Sequence, residues 1–151
     1  MIKGLIRENF EVSYEVDMKN IVIDGDRFSD LEGFYKEIDR LLTKNLTWQP
    51  GHGLDAFNDL LRGGFGVHEP GEELHIKWIH FAKSRQNLGY NATTNYYQEI
   101  LKKCHPTARE MVEKKLQDSK NGKGKTILDN IIDIIQDTDN TGHWCELEIE
   151  E

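Results

Sequence analysis

Hydrophobic and polar positions repeat along the chain with two periods, one typical of strands and one typical of helices. In residues 10–16 every second side chain is apolar, the pattern of a strand with one buried face. In residues 30–43 apolar side chains recur every three or four positions, as on an amphipathic helix. These patterns predict strands at 10–16, 21–24, 74–78 and 144–149. They predict helices at 30–43, at 54–62, from Ile79 through Leu88, at 92–118 as a pair broken at Pro106, and at 127–135.

Local signals support these boundaries. Ser29 and Glu32 have the spacing of a capping box, in which two side chains satisfy free backbone N–H groups at a helix start. The polar segment 120–125 is typical of a connection. From residue 21 onward helices separate successive strands, which favours parallel pairing through crossover helices. The predicted fold class is therefore α/β, in a single domain that covers residues 1–151.

Composition places the chain among ordinary globular domains. Of 151 residues, 37% are hydrophobic and 30% charged, so the chain can bury a core and is too apolar to be disordered. No apolar run reaches the roughly 18–20 residues of a membrane helix, and the N-terminus lacks the apolar stretch of a secretory signal. Two cysteines are too few for a disulfide framework. We therefore expect a cytoplasmic protein with reduced cysteines and no membrane contact.

Charge is unevenly distributed along the chain. The formal net charge is −8, but residues 102–125 carry eight Lys or Arg against three acidic residues, a local charge of +5. An acidic body attracts basic partners and repels nucleic acid, whereas the basic segment could contact RNA. Tyr96 and Tyr97 precede this segment at helical spacing with apolar neighbours. We expect these two tyrosines to pack in a core, and nucleic acid to be a poor partner.

The most informative segment is the loop and helix at 48–64. Asp55 and Asp59 are four residues apart and so share one helix face, opposite an apolar stripe. Gly51 and Gly53 remove side chains from the preceding loop, so another molecule can approach its backbone closely. A rigid acidic helix beside such a loop suits docking into a cationic pocket. A plain solvated acidic surface is the alternative interpretation.

Metal and acid–base chemistry fit the sequence less well. His52, Asp55 and Asp59 could serve as metal ligands or as an acid–base set for phosphoester hydrolysis, but no second cluster with ligand spacing accompanies them. A zinc site would need Cys104, His105, His143 and Cys145. Adjacent residues rarely both point at one metal. We therefore expect no metal, no cofactor and no catalytic residue.

The segment Gly124-Lys125-Thr126 is similar to the end of a phosphate-binding loop. The full motif requires glycine where this chain has Ser119, and it requires a preceding strand where a basic helix is predicted. We interpret the segment as the entry to a helix.

Three stretches of the chain together resemble the barstar family of intracellular ribonuclease inhibitors. They are IVIDGDRFSDLEGFYKEIDRLL, GHGLDAFNDLL and HIKWIHFAKSRQNL. The middle one is similar to the family's Gly-x-Asn-Leu-Asp-Ala-Leu-x-Asp segment, and the likeness covers about residues 20–89 and 124–150. It implies a small three-stranded parallel sheet with crossover helices. This chain would add an extra N-terminal strand within residues 1–19 and an inserted helical pair at about 90–122.

The resemblance also implies function by binding alone. In the family, the second helix and the loop before it plug the active site of a secreted ribonuclease, where carboxylates stand in for substrate phosphates. By position, Asp59 would enter the catalytic pocket, Asp55 would pair with an Arg or Lys, and Asp133 would make a peripheral contact. The residues expected to contact the partner are Gln49, Gly51, His52, Gly53, Asp55, Asn58, Asp59 and Asp133.

The chain departs from the family at this expected interface. The family has aromatic residues before the loop glycine and before the second helix aspartate, where this chain has Gln49, Pro50 and Asn58. Aromatic anchors commonly dominate interfaces, so the departures leave open a different cognate nuclease. Trp48 is either a substitute anchor or a core residue.

Two hypotheses follow for the function. The first is a cytoplasmic, monomeric immunity or antitoxin-type inhibitor that occludes a basic secreted ribonuclease, or a related nuclease toxin, in a 1:1 complex. The alternative is a barstar-fold module that binds protein or RNA through the basic helical insertion, without nuclease inhibition.

Overall fold

The structure, a computed structural model, describes residues 2–7, 13–43, 51–62, 73–137 and 144–151. Within these ranges the strands are β1 (Ile2–Arg7), β2 (Ser13–Asp24), β3 (Glu73–Ile79) and β4 (Trp144–Ile149). The α-helices are α1 (Leu31–Leu42), α2 (Leu54–Arg62), α3 (Phe81–Asn87), α4 (Tyr90–Leu101), α5 (Arg109–Lys120) and α6 (Ile127–Gln136). No helix in the described part of the chain combines the length and apolar character that a membrane span requires.

The four strands form one sheet in the order β1-β2-β3-β4. The β2, β3 and β4 strands are parallel, with Trp78 of β3 opposite Ile23 on one side and Ile149 on the other. Helices α1 and α2 connect β2 to β3, and α3 to α6 connect β3 to β4. The predicted α/β class, with its three-stranded parallel sheet and crossover helices, is confirmed.

The extra N-terminal strand exists, but it is not the one that the hydrophobic pattern predicts. Separate strands predicted at 10–16 and 21–24 are wrong, because β2 is continuous and the added strand is β1, antiparallel to it. Residues 8–12 lie outside the described ranges. At Met18 the strand pairs with β1 and β3 at once, so ladder hydrogen bonds hold residues 17–20 extended. Their polar composition, taken alone, is typical of a turn.

The main core lies between the sheet and the helices. Trp78 is fully buried, stacks on Phe34 of α1 with ring centroids 5.6 Å apart, and donates its indole N–H to Ser84 Oγ at 3.0 Å. The prediction that the following helix begins at Ile79 is wrong, because Ile79 belongs to β3 and still pairs with Asp24 of β2. His80, at φ 52°, turns the chain before α3 begins.

Helix caps agree with the sequence at one helix and differ at another. Before α6, Thr126 and Asp129 form a complete capping box. Before α1, the predicted box of Ser29 and Glu32 is wrong, since Asp30 is the N-cap and accepts a hydrogen bond from the Gly33 N–H at 2.7 Å. The Glu32 carboxylate instead contacts a loop 20 residues away.

The predicted helical pair is present as α4 and α5, with the break at Pro106. Tyr97, Val112 and Leu116 form a second, smaller core between these helices. Tyr96 packs against both cores, which confirms the packing role predicted for the two tyrosines. Lys120 ends α5, and the predicted connection follows it.

A buried carboxylate ties α1 to the end of β2. Glu37 is 3% exposed and accepts hydrogen bonds from Arg27, from Arg40 and from the Asp24 backbone N–H at 2.8–3.1 Å. Burial acts to raise the pKa of Glu37, but the hydrogen bonds from Arg40 and Asp24 and the two guanidinium charges outweigh it and lower the pKa below its ordinary value. The network therefore stabilises the ionised form.

Glu37→Gln is expected to lower the free energy of unfolding by about 1–3 kcal/mol at pH 7. The cost stays in this range because Arg27 and Arg40 are half-exposed and can be rehydrated. A carboxylate with a lowered pKa stabilises the fold above its unfolded pKa near 4.5, so the difference from wild type should shrink as pH falls below that value. Urea unfolding of wild type and variant at pH 7 and pH 3 measures this difference in the free energy of unfolding. The matched control is Glu99→Gln, which removes the same charge from an exposed pair with Lys102 and should have little effect. Equal stability of the two variants would contradict the prediction.

Candidate functional site

Helix α2 has one apolar face and one acidic face. Phe57, Leu60 and Leu61 are 0–3% exposed and belong to the main core. Asp55 and Asp59 are exposed on the outside of the same helix. The first turn begins with a hydrogen bond from the Phe57 N–H to the Gly53 carbonyl at 3.0 Å. The helix therefore displays both carboxylates on a surface held in place by core packing.

The carboxylates of α2 are weakly engaged within the protein. Asp59 is 61% exposed, and its Oδ1 lies 3.9 Å from Arg62 Nη1, a long contact between solvated groups. Asp55 lies in the first helical turn, where the helix dipole favours negative charge. Next to them, Asn58 is partly buried, and its buried Oδ1 accepts no hydrogen bond among the described residues.

A small acidic groove lies between α2 and α6. It has a volume of about 170 Å³ and is lined by Leu54, Asp55, Asn58, Asp133, Ile134 and Asp137. The groove brings Asp133 next to Asp55, although 78 residues separate them in sequence. Asp137 was not among the predicted contacts, yet its spacing of four from Asp133 repeats the spacing within α2. Lys125 Nζ lies 2.5 Å from Asp133 Oδ2 and partly neutralises this side of the groove.

The loop before α2 is open around its glycines. A Cβ added at Gly51 or Gly53 would meet no atom within 4 Å, so the backbone here is accessible. Within the described part of the chain, no contact therefore requires glycine at these two positions. Gln49 and Trp48, which were also predicted or considered as contacts, lie outside the described residues.

His52 points back to α1. Its Nδ1 lies 2.5 Å from Glu32 Oε1, and its Nε2 lies 2.6 Å from Asp39 Oδ2. The ring also packs on Tyr35, with centroids 5.4 Å apart. The hydrogen bond to Asp39 and then that to Glu32, together with both charges, raise the pKa of His52 despite partial burial.

This placement bears on the enzyme interpretation. Both ring nitrogens of His52 face α1 and neither faces Asp55 or Asp59, so the three residues do not form an acid–base set. A direct contact between His52 and a partner stays a prediction.

The described members of the candidate zinc set, Cys104, His105 and Cys145, do not come together as a group of potential metal ligands. Cys104 packs against the core of the α4–α5 pair and Cys145 against the main core. Both are free cysteines, and burial raises the pKa of the Cys145 thiol to about 12. His143 lies outside the described residues.

One group of potential metal ligands lies at the end of the sheet. Asp24, Asp26 and His80 place one ligand atom each within 4.8 Å of one another. His80 Nδ1 lies 2.8 Å from Asp24 Oδ1 and 3.3 Å from Asp26 Oδ2. The hydrogen bond to Asp24 and the two acidic charges raise the pKa of His80, so the imidazolium form is favoured. In the structure these three side chains form an ion-pair network.

The start of α6 does not offer the free N–H groups of a phosphate-binding loop. The Thr126 N–H donates to Asp129, the Ile127 N–H to Thr93 Oγ1, and the Leu128 N–H to the Leu88 carbonyl. An anion at a helix N-terminus needs these donors unoccupied. The interpretation of this segment as a helix entry therefore agrees with the hydrogen bonds.

The basic segment forms a separate groove of about 310 Å³. Its basic lining comes from Lys114, Lys115, Lys123 and Lys125. Lys114 pairs with Asp118, Lys125 pairs with Asp133, and Lys115 lies over the Tyr97 ring. Because Tyr97 is only 8% exposed, it offers no platform on which a base could stack. The groove is cationic but partly neutralised, and RNA or protein binding by it stays a prediction.

Comparison with known proteins gives one match. Residues 18–118 match the family described as Barstar (barnase inhibitor), which is about two thirds of the chain. The matched range includes the second half of β2, then α1, α2 and β3, and it runs on through α3, α4 and most of α5. Whether α4 and α5 are an insertion therefore stays a prediction. No curated protein sequence and no solved structure matches the chain.

Proposed function

Because the chain belongs to the barstar family, the barnase inhibitors, we propose that it is an intracellular immunity-type protein that inhibits a basic ribonuclease. The observation that carries the proposal is the exposed pair Asp55 and Asp59 on α2, whose opposite face is anchored in the core. Binding alone accounts for the activity, so we propose no catalytic residue, metal or cofactor.

Inhibition would follow from charge complementarity at the catalytic cleft. A ribonuclease holds its substrate phosphate with Arg, Lys and His side chains, and carboxylates on a rigid helix meet the same groups. Asp59 would occupy the phosphate position, and Gly51 and Gly53 would let the loop backbone approach the enzyme. Because the carboxylates belong to the protein chain, the enzyme has no bond to cleave.

The acidic groove suits a basic side chain of the nuclease at the edge of the contact. A guanidinium has five N–H donors and could donate to Asp55 and Asp133 together. Lys125 already pairs with Asp133 and would have to share or leave it. We therefore propose that Asp133 contributes less than the two carboxylates of α2.

Long-range charge should accelerate the encounter. Outside residues 102–125 the chain carries a net charge of −13, which would steer a basic enzyme toward the acidic surface. Salt screens exposed charges over about 8–10 Å at physiological ionic strength, so association should slow as salt increases.

Titration against the cognate enzyme tests the proposal. Secreted basic proteins of the same organism are passed over the immobilised chain at low and high salt, and retained ribonucleases are assayed for RNA cleavage. We expect inhibition that is complete at one chain per enzyme, a 1:1 complex by light scattering, and an association rate that falls with salt. Failure to bind or inhibit any such ribonuclease would overturn the proposal.

The same preparation tests the alternative, in which the basic groove binds RNA. Charge reversal at Lys115 and Lys123 should leave ribonuclease inhibition unchanged if the proposal is right. Salt-dependent RNA binding that these substitutions remove, with no nuclease retained, would favour the alternative.

A further inference from the structure

One side chain joins the loop before α2 to α1 at two points. His52 lies between Glu32 and Asp39 of α1, 2.5 Å and 2.6 Å from their carboxylate oxygens. Its side chain is 21% exposed and packs on the Tyr35 ring. Glu32 and Asp39 are seven residues apart, which is two helical turns, so the ring spans between them along the helix.

The neighbouring residues cannot supply this attachment. Gly51 and Gly53 have no side chains, and a Cβ added at either position would contact nothing. Glycine also has more conformational freedom to lose than any other residue, so a loop that contains two of them is costly to order when it binds. Within residues 51–53, His52 is therefore the side chain that holds the loop in one conformation.

The two-sided contact requires a particular charge state. A protonated imidazole donates from both nitrogens and can bond to two carboxylates at once. A neutral imidazole has one donor, and its other nitrogen would direct a lone pair at a carboxylate. Among the described residues, the charged and titratable groups around the ring are Glu32, Asp39 and Tyr35 on α1, with Asp55 of α2 and Tyr96 of α4 acting on Tyr35.

We propose that His52 is a positioning residue, which clamps the loop to α1 so that Gly51, Gly53 and the acidic start of α2 are preorganised for the nuclease. The inference rests on the proposed function and adds a regulatory consequence to it. The clamp is closed while the ring is protonated and opens when the ring loses its proton. Affinity for the nuclease should therefore fall as pH rises.

The direction of the pH effect follows from linkage. The carboxylates raise the pKa of His52 above the 6.5 of a free histidine. Such a group contributes its full stabilisation below the unfolded pKa and loses it as pH rises through the folded pKa. The clamp should thus be closed at pH 6 and open in the alkaline range.

Nuclease binding by His52→Ala and Glu32→Gln, singly and together, tests the clamp at pH 6.5. We expect His52→Ala to raise the dissociation constant about tenfold, mainly through faster dissociation. Glu32→Gln removes one anchor and should have a smaller effect. Glu32 is preferred to Asp39 for this test because Asp39 makes a further interaction. The double variant should be no weaker than His52→Ala alone, because both changes open the same clamp.

Between pH 6 and pH 9 the wild-type dissociation constant should rise more than that of His52→Ala, because the variant has no clamp to open. Titration of the nuclease itself affects both proteins equally, so the difference between them measures the clamp. NMR of the free protein provides a readout without the nuclease, and both His52 nitrogens should carry protons at pH 6.5. A ring that titrates at or below 6.5 would overturn the clamp. Additive effects of the two substitutions would also overturn it, since they would make His52 a direct contact. If the wild-type chain inhibits no ribonuclease, the proposed function fails instead, while NMR of the free protein still tests whether His52 is held between two carboxylates.

Discussion

Replacement of both Asp55 and Asp59 with alanine is expected to abolish inhibition of the ribonuclease while the fold stays intact. Removal of each carboxylate would leave a cationic group of the enzyme buried and unpaired. Breaking such a pair costs about 3–5 kcal/mol. Even 4 kcal/mol in total weakens the dissociation constant about a thousandfold. The fold should tolerate the change, because both side chains are exposed and the contact of Asp59 with Arg62 is long.

Enzyme inhibition curves measure the loss, and circular dichroism with urea unfolding verifies the fold. Asp133→Ala is the graded control, with a smaller effect because Lys125 already pairs with that carboxylate. Glu110→Ala, on the exposed surface of α5, removes the same charge far from α2 and should change nothing. A double variant that inhibits as well as wild type would show that α2 does not enter the cleft.

Phe57→Ala is expected to have the largest effect on stability and to weaken inhibition indirectly. Phe57 is 1% exposed, and its ring lies edge-on to Phe34 of α1 with centroids 5.4 Å apart. Loss of a buried phenylalanine costs about 3–5 kcal/mol through lost transfer energy and the cavity left behind. For a chain of this size the melting temperature should fall by about 6–20 °C. Because Phe57 anchors the short helix α2, the acidic face should lose its fixed position before the rest unfolds.

Thermal unfolding and inhibition assays on the same samples separate the two effects. Phe57→Leu keeps most of the volume and should cost less than about 1.5 kcal/mol, with inhibition close to wild type. Phe57→Ala should weaken inhibition about tenfold even where most molecules are folded, since only those with α2 docked are competent. Unchanged inhibition by folded Phe57→Ala would mean that the carboxylates need no rigid support.

Part of the candidate site follows from local sequence. The spacing of Asp55 and Asp59 places them on one face of a helix, and the apolar stripe through Phe57 fixes which face is buried. Both conclusions depend on residues within two helical turns of one another. The bounds of α2 and the capping box of Thr126 are predictable for the same reason.

The role of the loop could not be predicted in this way. The pattern marks His52 as a polar residue between two glycines, which suits a partner contact, a metal ligand or a base equally well. Its attachment depends on Glu32 and Asp39, which lie 20 and 13 residues earlier. The sequence pattern assigns Glu32 to a capping box with Ser29, because that motif considers only residues three positions apart.

The sequence by itself determined the α/β class, the helix periods, the two faces of α2 and the uneven charge, because each follows from neighbours along the chain. Only the tertiary structure decided that β2 runs unbroken between two partner strands, that Asp133 joins Asp55 at one groove, and that His52 turns toward α1. These features need contacts between residues far apart in sequence. Such contacts are set by the packing of whole elements, which periodicity within one element does not contain.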